Sequence, residues 1–114
     1  MTVRGEESAA DVHITFVEYD PPGSDLEGEY VRVENLGGSA ADMTDWTLRD
    51  EANKVFTFPA FTLDAGATVQ VWTKSDTNTS TDLYLGSGSA IWNNTGDCAH
   101  LRDSAGTPVD TYCY

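Results

Sequence analysis

Glu29-Tyr30-Val31-Arg32-Val33-Glu34-Asn35 decides the fold class. Val31 and Val33 alternate with Arg32 and Glu34, so an extended chain here is apolar on one face and charged on the other. That division is the mark of a half-buried β-strand, whose side chains repeat every second residue. Upstream, Asp20-Pro21-Pro22-Gly23-Ser24-Asp25 breaks the chain, because two prolines and a glycine cannot continue a ladder. Before the break, Val12, Ile14 and Phe16 fall on one face of a strand and His13, Thr15 and Val17 on the other.

Downstream the same pattern recurs. Leu36-Gly37-Gly38-Ser39 is a turn, Trp46-Thr47-Leu48-Arg49-Asp50 a short strand, and Val55-Phe56-Thr57-Phe58 another, stopped by Pro59. Leu63-Asp64-Ala65-Gly66 reads as a turn. Thr68-Val69-Gln70-Val71-Trp72-Thr73 is the strongest β run in the chain, and the polar stretch Lys74 to Thr81 reads as an exposed loop. A weaker strand covers Asp82 to Leu85, and a hairpin closes the chain with arms Asp97 to Asp103 and Thr107 to Cys113. Turn signals return about every 8–12 residues, which is the rhythm of a β-sandwich or barrel. No heptad or internal repeat competes with that reading.

A chain of 114 residues fits one domain. Residues 1–11 are small and polar and are expected to form a flexible lead-in, with the domain over 12–114. The 39% hydrophobic and 22% charged content suits a folded protein. The charge balance is lopsided: six Lys and Arg face 19 Asp and Glu, for a net charge of −13. Such a chain repels phosphate backbones and anionic lipid, so nucleic acid is not an expected partner. The acidity fits basic partners or divalent cations, or simply a solubilising surface. No run approaches the ~18 apolar residues of a membrane span, so membrane insertion is not expected. The first residues, Met1-Thr2-Val3-Arg4-Gly5-Glu6-Glu7, carry no apolar signal core. Both a cytoplasmic protein and part of an exported or cell-surface protein remain open.

The strands carry a family likeness. Glu29-Tyr30-Val31 with Asn35 resembles the "EYV…N" strand of the lamin tail domain, also called the intermediate-filament tail domain. Trp46-Thr47-Leu48-Arg49-Asp50 resembles its "GW.L.D" strand, with Asp45 where glycine is usual. Phe58-Pro59 followed by Leu63-Asp64-Ala65-Gly66 resembles "FP…L.pG", and Trp92-Asn93-Asn94-Thr95-Gly96-Asp97 resembles "WNN.GD". Leu101-Arg102-Asp103, Gly106 and Val109-Asp110 match the closing "L.D..G..VD". The blocks stand in family order from residue 12 to the end. The resemblance implies an immunoglobulin-like β-sandwich of about seven to nine short, mainly antiparallel strands. It also implies a non-catalytic interaction module of the prokaryotic kind, in which such domains are attached to exported or surface proteins. The filament role of the animal proteins does not transfer, because this chain has no coiled-coil rod.

Trp46 and Trp92 are expected in the core or at its edge, where a large ring anchors a sandwich. Trp72 should face away from Val69 and Val71, which makes it the candidate binding residue. Asn93, Asn94, Gly96 and Asp97 have the chemistry of a fixed turn. Asp20, Asp25, Glu27 and Glu29 form an acidic stretch that could offer oxygens to Ca2+, although Pro21-Pro22 limits how the backbone could wrap an ion.

Cys98 and Cys113 stand on the two arms of the last hairpin. A turn over Asp103–Thr107 with a glycine bulge pairs Leu101 with Val109 and sets Cys98 opposite Tyr112, leaving the cysteines on opposite faces. A further bulge or a shifted register would be needed to bond them. Bonded and free thiols are both open, and a bond would suit an exported domain.

No nucleophile elbow, phosphate loop or dinucleotide fingerprint is present, and His13 and His100 lie far apart in sequence. The expected function is therefore a non-catalytic module that presents loops and a sheet face to a protein or surface partner. The alternatives are a structural, self-associating module and a calcium-stabilised surface domain; the oligomeric state is open.

Overall fold

A computed structural model describes residues 9–114. Residues 1–8 of the expected lead-in lie outside that range. Residues 9–11 are tied down: Gly38 N–H donates to Ala9 O at 3.1 Å, and Leu36 N–H to Asp11 O at 2.8 Å. Gly37 is needed for this approach, because a Cβ there would stand 2.0 Å from Ala9 O.

The described residues form ten short strands: β1 Val12–Glu18, β2 Tyr30–Asn35, β3 Ala41–Asp42, β4 Thr47–Arg49, β5 Val55–Thr57, β6 Thr62–Leu63, β7 Thr68–Trp72, β8 Asp82–Tyr84, β9 Cys98–Arg102 and β10 Pro108–Cys113. One helical turn, α1 Asp25–Gly28, sits inside the break between β1 and β2, with Ser24 as its cap. The first sheet has the order β1-β2-β7-β8, the second β10-β9-β4-β5, and β3 pairs with β6 in a small third sheet. All pairings are antiparallel except β7 with β8. This is the immunoglobulin-like sandwich that the sequence implies. The crossover that makes β8 parallel is the polar stretch 74–81.

The core lies between the two large sheets. Val31, Val33 and Val69 are wholly buried, and Val71, Leu48, Leu83, Ala99 and Leu101 join them from both layers. Phe58, Met43 and Leu63 close one side of the core at 1% exposure or less. Each fully buried side chain of this kind stabilises the fold by about 1.5–3 kcal/mol. Trp92 is buried at 6% exposure, and Trp46 packs half-buried against the core.

Two sequence expectations are corrected, both by bulges. The register of β1 on β2 shifts between Ile14 and Phe16, with Thr15 the extra residue. After the bulge the faces exchange, so Val17 enters the core at 2% exposure and Phe16 turns outward. On β10 the register shifts between Pro108 and Asp110. Asp110, not Val109, therefore stands opposite Leu101, and Cys113, not Tyr112, opposite Cys98. The structure joins Cys98 and Cys113 in a disulfide across this hairpin.

The two bulged strands meet at one edge of the sandwich. Ile14 N–H points out of the first sheet and donates to Asp110 Oδ2 on β10 at 2.8 Å. A sheet edge that would leave a backbone donor unpaired is thus closed by a side chain from the other layer.

Candidate functional site

The outer face of the first sheet is built by register. Glu18, Tyr30, Trp72 and Tyr84 stand side by side across β1, β2, β7 and β8. One step along the strands, Phe16, Arg32, Gln70 and Asp82 form a second row. All of these residues are half-buried although they point away from the core.

The rings lean on one another. The Phe16 and Tyr30 centroids are 6.1 Å apart, and those of Tyr30 and Trp72 are 4.9 Å apart, with tilts of 52° and 46°. Such tilted pairs place ring edge near ring face, the arrangement that the ring quadrupole favours. Cations cover both ends of the cluster: the Arg32 guanidinium lies 5.3 Å from the Phe16 centroid and Lys74 Nζ 5.1 Å from that of Trp72. Trp72 Nε1–H donates to Asp82 Oδ1 at 2.9 Å. Arg32 Nε also donates to Thr15 Oγ1 at 3.2 Å and lies 3.4 Å from Glu34 Oε2. The Tyr84 hydroxyl titrates above its ordinary range, through desolvation and the nearby charges of Asp82 and Asp76. Trp72 therefore faces outward, as alternation with Val69 and Val71 predicts, but it is braced by neighbours rather than free.

The acidic stretch divides. Asn94 Nδ2 donates to Asp20 Oδ1 at 3.3 Å and to Asp25 Oδ2 at 3.1 Å, which brings those two carboxylates together. Glu27 is exposed in the first turn of α1. Glu29 turns the other way and is wholly buried. Its Oε1 accepts from Ile91 N–H at 2.5 Å, Thr73 Oγ1–H at 2.8 Å and Trp92 N–H at 3.2 Å. Its Oε2 is buried without a hydrogen-bond partner. Burial pushes the Glu29 carboxyl above its ordinary range, against the pull of those three bonds. Among the described residues, no group of three or more His, Cys, Asp or Glu side chains is arranged to hold a metal ion.

The other motif residues hold turns and edges. Asn35 is wholly buried; its Oδ1 accepts from Asp11 and Gly37 N–H, and its Nδ2 donates to Ser39 O and Leu63 O. Asp97 Oδ2 accepts from Asn93 N–H, while its Oδ1 accepts from Glu51 and Cys98 N–H. Tyr114 stacks on Tyr19 at 4.0 Å and donates its hydroxyl to Asn93 O at 2.9 Å. Burial and the carboxylates of Asp97 and Glu29 push the Tyr114 hydroxyl far above its ordinary range.

Two further arrangements were not foreseen in the sequence. Glu51, His100 and Thr111 form a hydrogen-bonded row, His100 Nε2 meeting Glu51 Oε2 and His100 Nδ1 lying 3.3 Å from Thr111 Oγ1. Only the pairing of β4, β9 and β10 assembles it. Glu51 and Thr111 are exposed, and a threonine hydroxyl within a chain is a weak nucleophile without a shaped site around it. A groove of about 470 Å³ opens beside Trp46, His13, Asp11, Asp42 and Asp103. Each aspartate commits one oxygen internally: Asp11 to His13, Asp42 to Thr44, and Asp103 to the Ala105 and Thr107 amides. The Thr44 bonds hold the exposed Asp42 carboxyl below its ordinary range.

Apart from Tyr30 in the outer ring cluster, the motif residues described above hold turns, edges and the core. The family model described as Lamin Tail Domain matches residues 6–114.

The chain belongs to the lamin tail domain family.

No curated protein matches it. Asp45 fits this membership in physical terms. It stands where the family motif has glycine, and its φ of 66° is in the left-handed region that glycine enters freely and aspartate tolerates. Lamin tail domains are generally non-enzymatic, immunoglobulin-like interaction domains. No helix among the described residues is long and apolar enough to cross a membrane.

Proposed function

We propose that this lamin tail domain is a non-catalytic binding module that engages a protein or surface component through the outer face of its first sheet. The observation that carries the reading is the braced ring cluster of Phe16, Tyr30 and Trp72 on a face that points away from the core. Aromatic rings already fixed by their neighbours lose little conformational freedom on binding, which is why such residues dominate interfaces. Of the family motif residues, Tyr30 belongs to this cluster, while Glu29, Asn35 and Asp97 have structural duties at other places.

The test compares labelled wild-type domain with Trp72→Ala on cell-envelope and soluble protein fractions of the source organism. Retention of the wild type and a loss of about tenfold or more for the variant is expected. Equal retention of two folded proteins overturns the reading.

A further inference from the structure

We infer that the ligand of this face is a neutral, hydroxyl-rich polysaccharide lying across the ring row. The inference rests on the reading above and names its chemistry.

Three features of the face point to this ligand class. The first is shape. Tyr30, Trp72 and Tyr84 occupy adjacent strands in register, with Phe16 beside Tyr30. Three strands spaced by about 4.8 Å make a stripe roughly 10 Å long and one residue wide, with Phe16 set diagonally in the next row. A stripe of that form suits a chain-like ligand better than a broad protein surface, which commonly buries about 800 Å² per partner. The C–H face of a sugar ring is apolar and weakly positive, and the face of an aromatic ring is negative, so the two pack together.

The second feature is the neighbouring polar row. Arg32, Gln70 and Asp82 run parallel to the rings in strict register. Gln70 offers an amide donor and acceptor, and beside their bonds to Thr15, Trp72 and Thr81 the Arg32 guanidinium and the Asp82 carboxylate keep further donor and acceptor capacity. A sugar hydroxyl both donates and accepts, so a mixed row beside an apolar stripe matches a stacked sugar along its edge.

The third feature is charge. The domain carries −13 overall, and Glu18, Glu34 and Asp82 lie on this face, which opposes a polyanion such as nucleic acid. Arg32 and Lys74 already lie over the Phe16 and Trp72 rings, which opposes insertion of further cations there, and a sugar that stacks on Trp72 displaces the exchangeable Lys74 side chain. The same five charged groups oppose burial in lipid. A neutral polyol meets the face without a charge penalty and finds both donor and acceptor partners.

The experiment is affinity electrophoresis of the folded domain through gels containing soluble neutral polysaccharides (mixed-linkage β-glucan, xylan, mannan and dextran), with pectate and dextran sulfate as anionic controls. Wild type, Trp72→Ala, Tyr84→Ala, Gln70→Ala and the remote control Leu36→Ala run side by side. Retardation by at least one neutral polymer is expected, with unchanged binding for Leu36→Ala and a loss of about tenfold for Trp72→Ala. Smaller losses are expected for Tyr84→Ala and Gln70→Ala. If Trp72→Ala does not fold, the latter two decide. Silence of every neutral polymer, or retardation only by the anionic ones, overturns the polysaccharide inference. Silence together with Trp72-dependent retention of a protein overturns it while leaving the binding face intact. Retardation that ignores all three face variants overturns both readings.

Discussion

Glu29 accepts a hydrogen bond from the backbone of Trp92, 63 residues further along the chain, at 3.2 Å. The same oxygen takes Ile91 N–H and Thr73 Oγ1–H, so one buried carboxylate binds the start of β2, the end of β7 and the segment before β9.

Removing that carboxylate strands three donors. Glu29→Ala is expected to cost at least about 3 kcal/mol, since each of three buried donors left unpaired costs about 1–3 kcal/mol. Glu29→Gln keeps an acceptor oxygen in place and removes a buried charge, so it should stay within about 1 kcal/mol of wild type. Urea unfolding of both variants checks this, and an equal cost for the two would contradict it.

Acid should tighten the domain through Glu29. Its folded carboxyl titrates above the ordinary value of 4.5, so between those two values the native state binds more protons than the unfolded chain. Stability therefore rises as pH falls through the folded pKa and levels off below 4.5, as far as this group is concerned. Relief of charge repulsion adds a general slope of the same sign. Subtracting the urea-melt profile of Glu29→Gln from that of wild type isolates the Glu29 part; two parallel profiles would refute it.

The disulfide closes a loop between residues 15 apart. Chain entropy then assigns it about 3 kcal/mol. Reduction, or Cys113→Ser, is expected to lower the unfolding free energy by that order. Mass spectrometry with a thiol-alkylating reagent reports the redox state of each sample. No change in stability on verified reduction would count against the clasp.

Asp110→Ala removes the acceptor of Ile14 N–H at the edge shared by the two sheets. A cost of about 1–3 kcal/mol is expected, with faster hydrogen exchange at the Ile14 amide. Asp110→Asn retains an acceptor and should recover most of the loss.

Asp45→Gly restores the residue type that a φ of 66° favours. A gain of up to about 1 kcal/mol is expected from relief of backbone strain, offset in part by the added freedom of the unfolded chain. A thermal-unfolding comparison measures the balance, and a clear destabilisation would show that the Asp45 side chain itself matters.

The parts of the structure legible in sequence are those set by unbroken alternation. β2 and β7 pair without irregularity, so Val31, Val33, Val69 and Val71 point inward and Trp72 outward as the pattern demands. The outer ring cluster was legible only in part, because Phe16 reaches it through the bulge at Thr15. A one-residue slip reverses every later side chain on a strand, and the sequence does not print where a slip occurs. Both slips, at Thr15 and Val109, lie on the strands that meet at the edge joined by Ile14 and Asp110. Tertiary contact decides them, and the same slip on β10 brings Cys113 opposite Cys98. The burial of Glu29 was equally hidden, since an acid next to a proline-rich break reads as solvent-exposed until its distant amide partners are known.

The internal duties of the aspartates limit how this protein could be re-engineered. Asp42, Asp50, Asp82, Asp97, Asp103 and Asp110 each accept hydrogen bonds from backbone or side-chain donors within the fold. Among the described residues, the side chains of Asp64 and Glu27 make no such bond and are exposed. A designer who wished to raise the isoelectric point could neutralise the second pair freely, whereas replacing the first six by residues with no acceptor would leave turn and edge donors unpaired. Part of the acidity is thus mortar between the strands, and only the remainder is a coat that can be repainted.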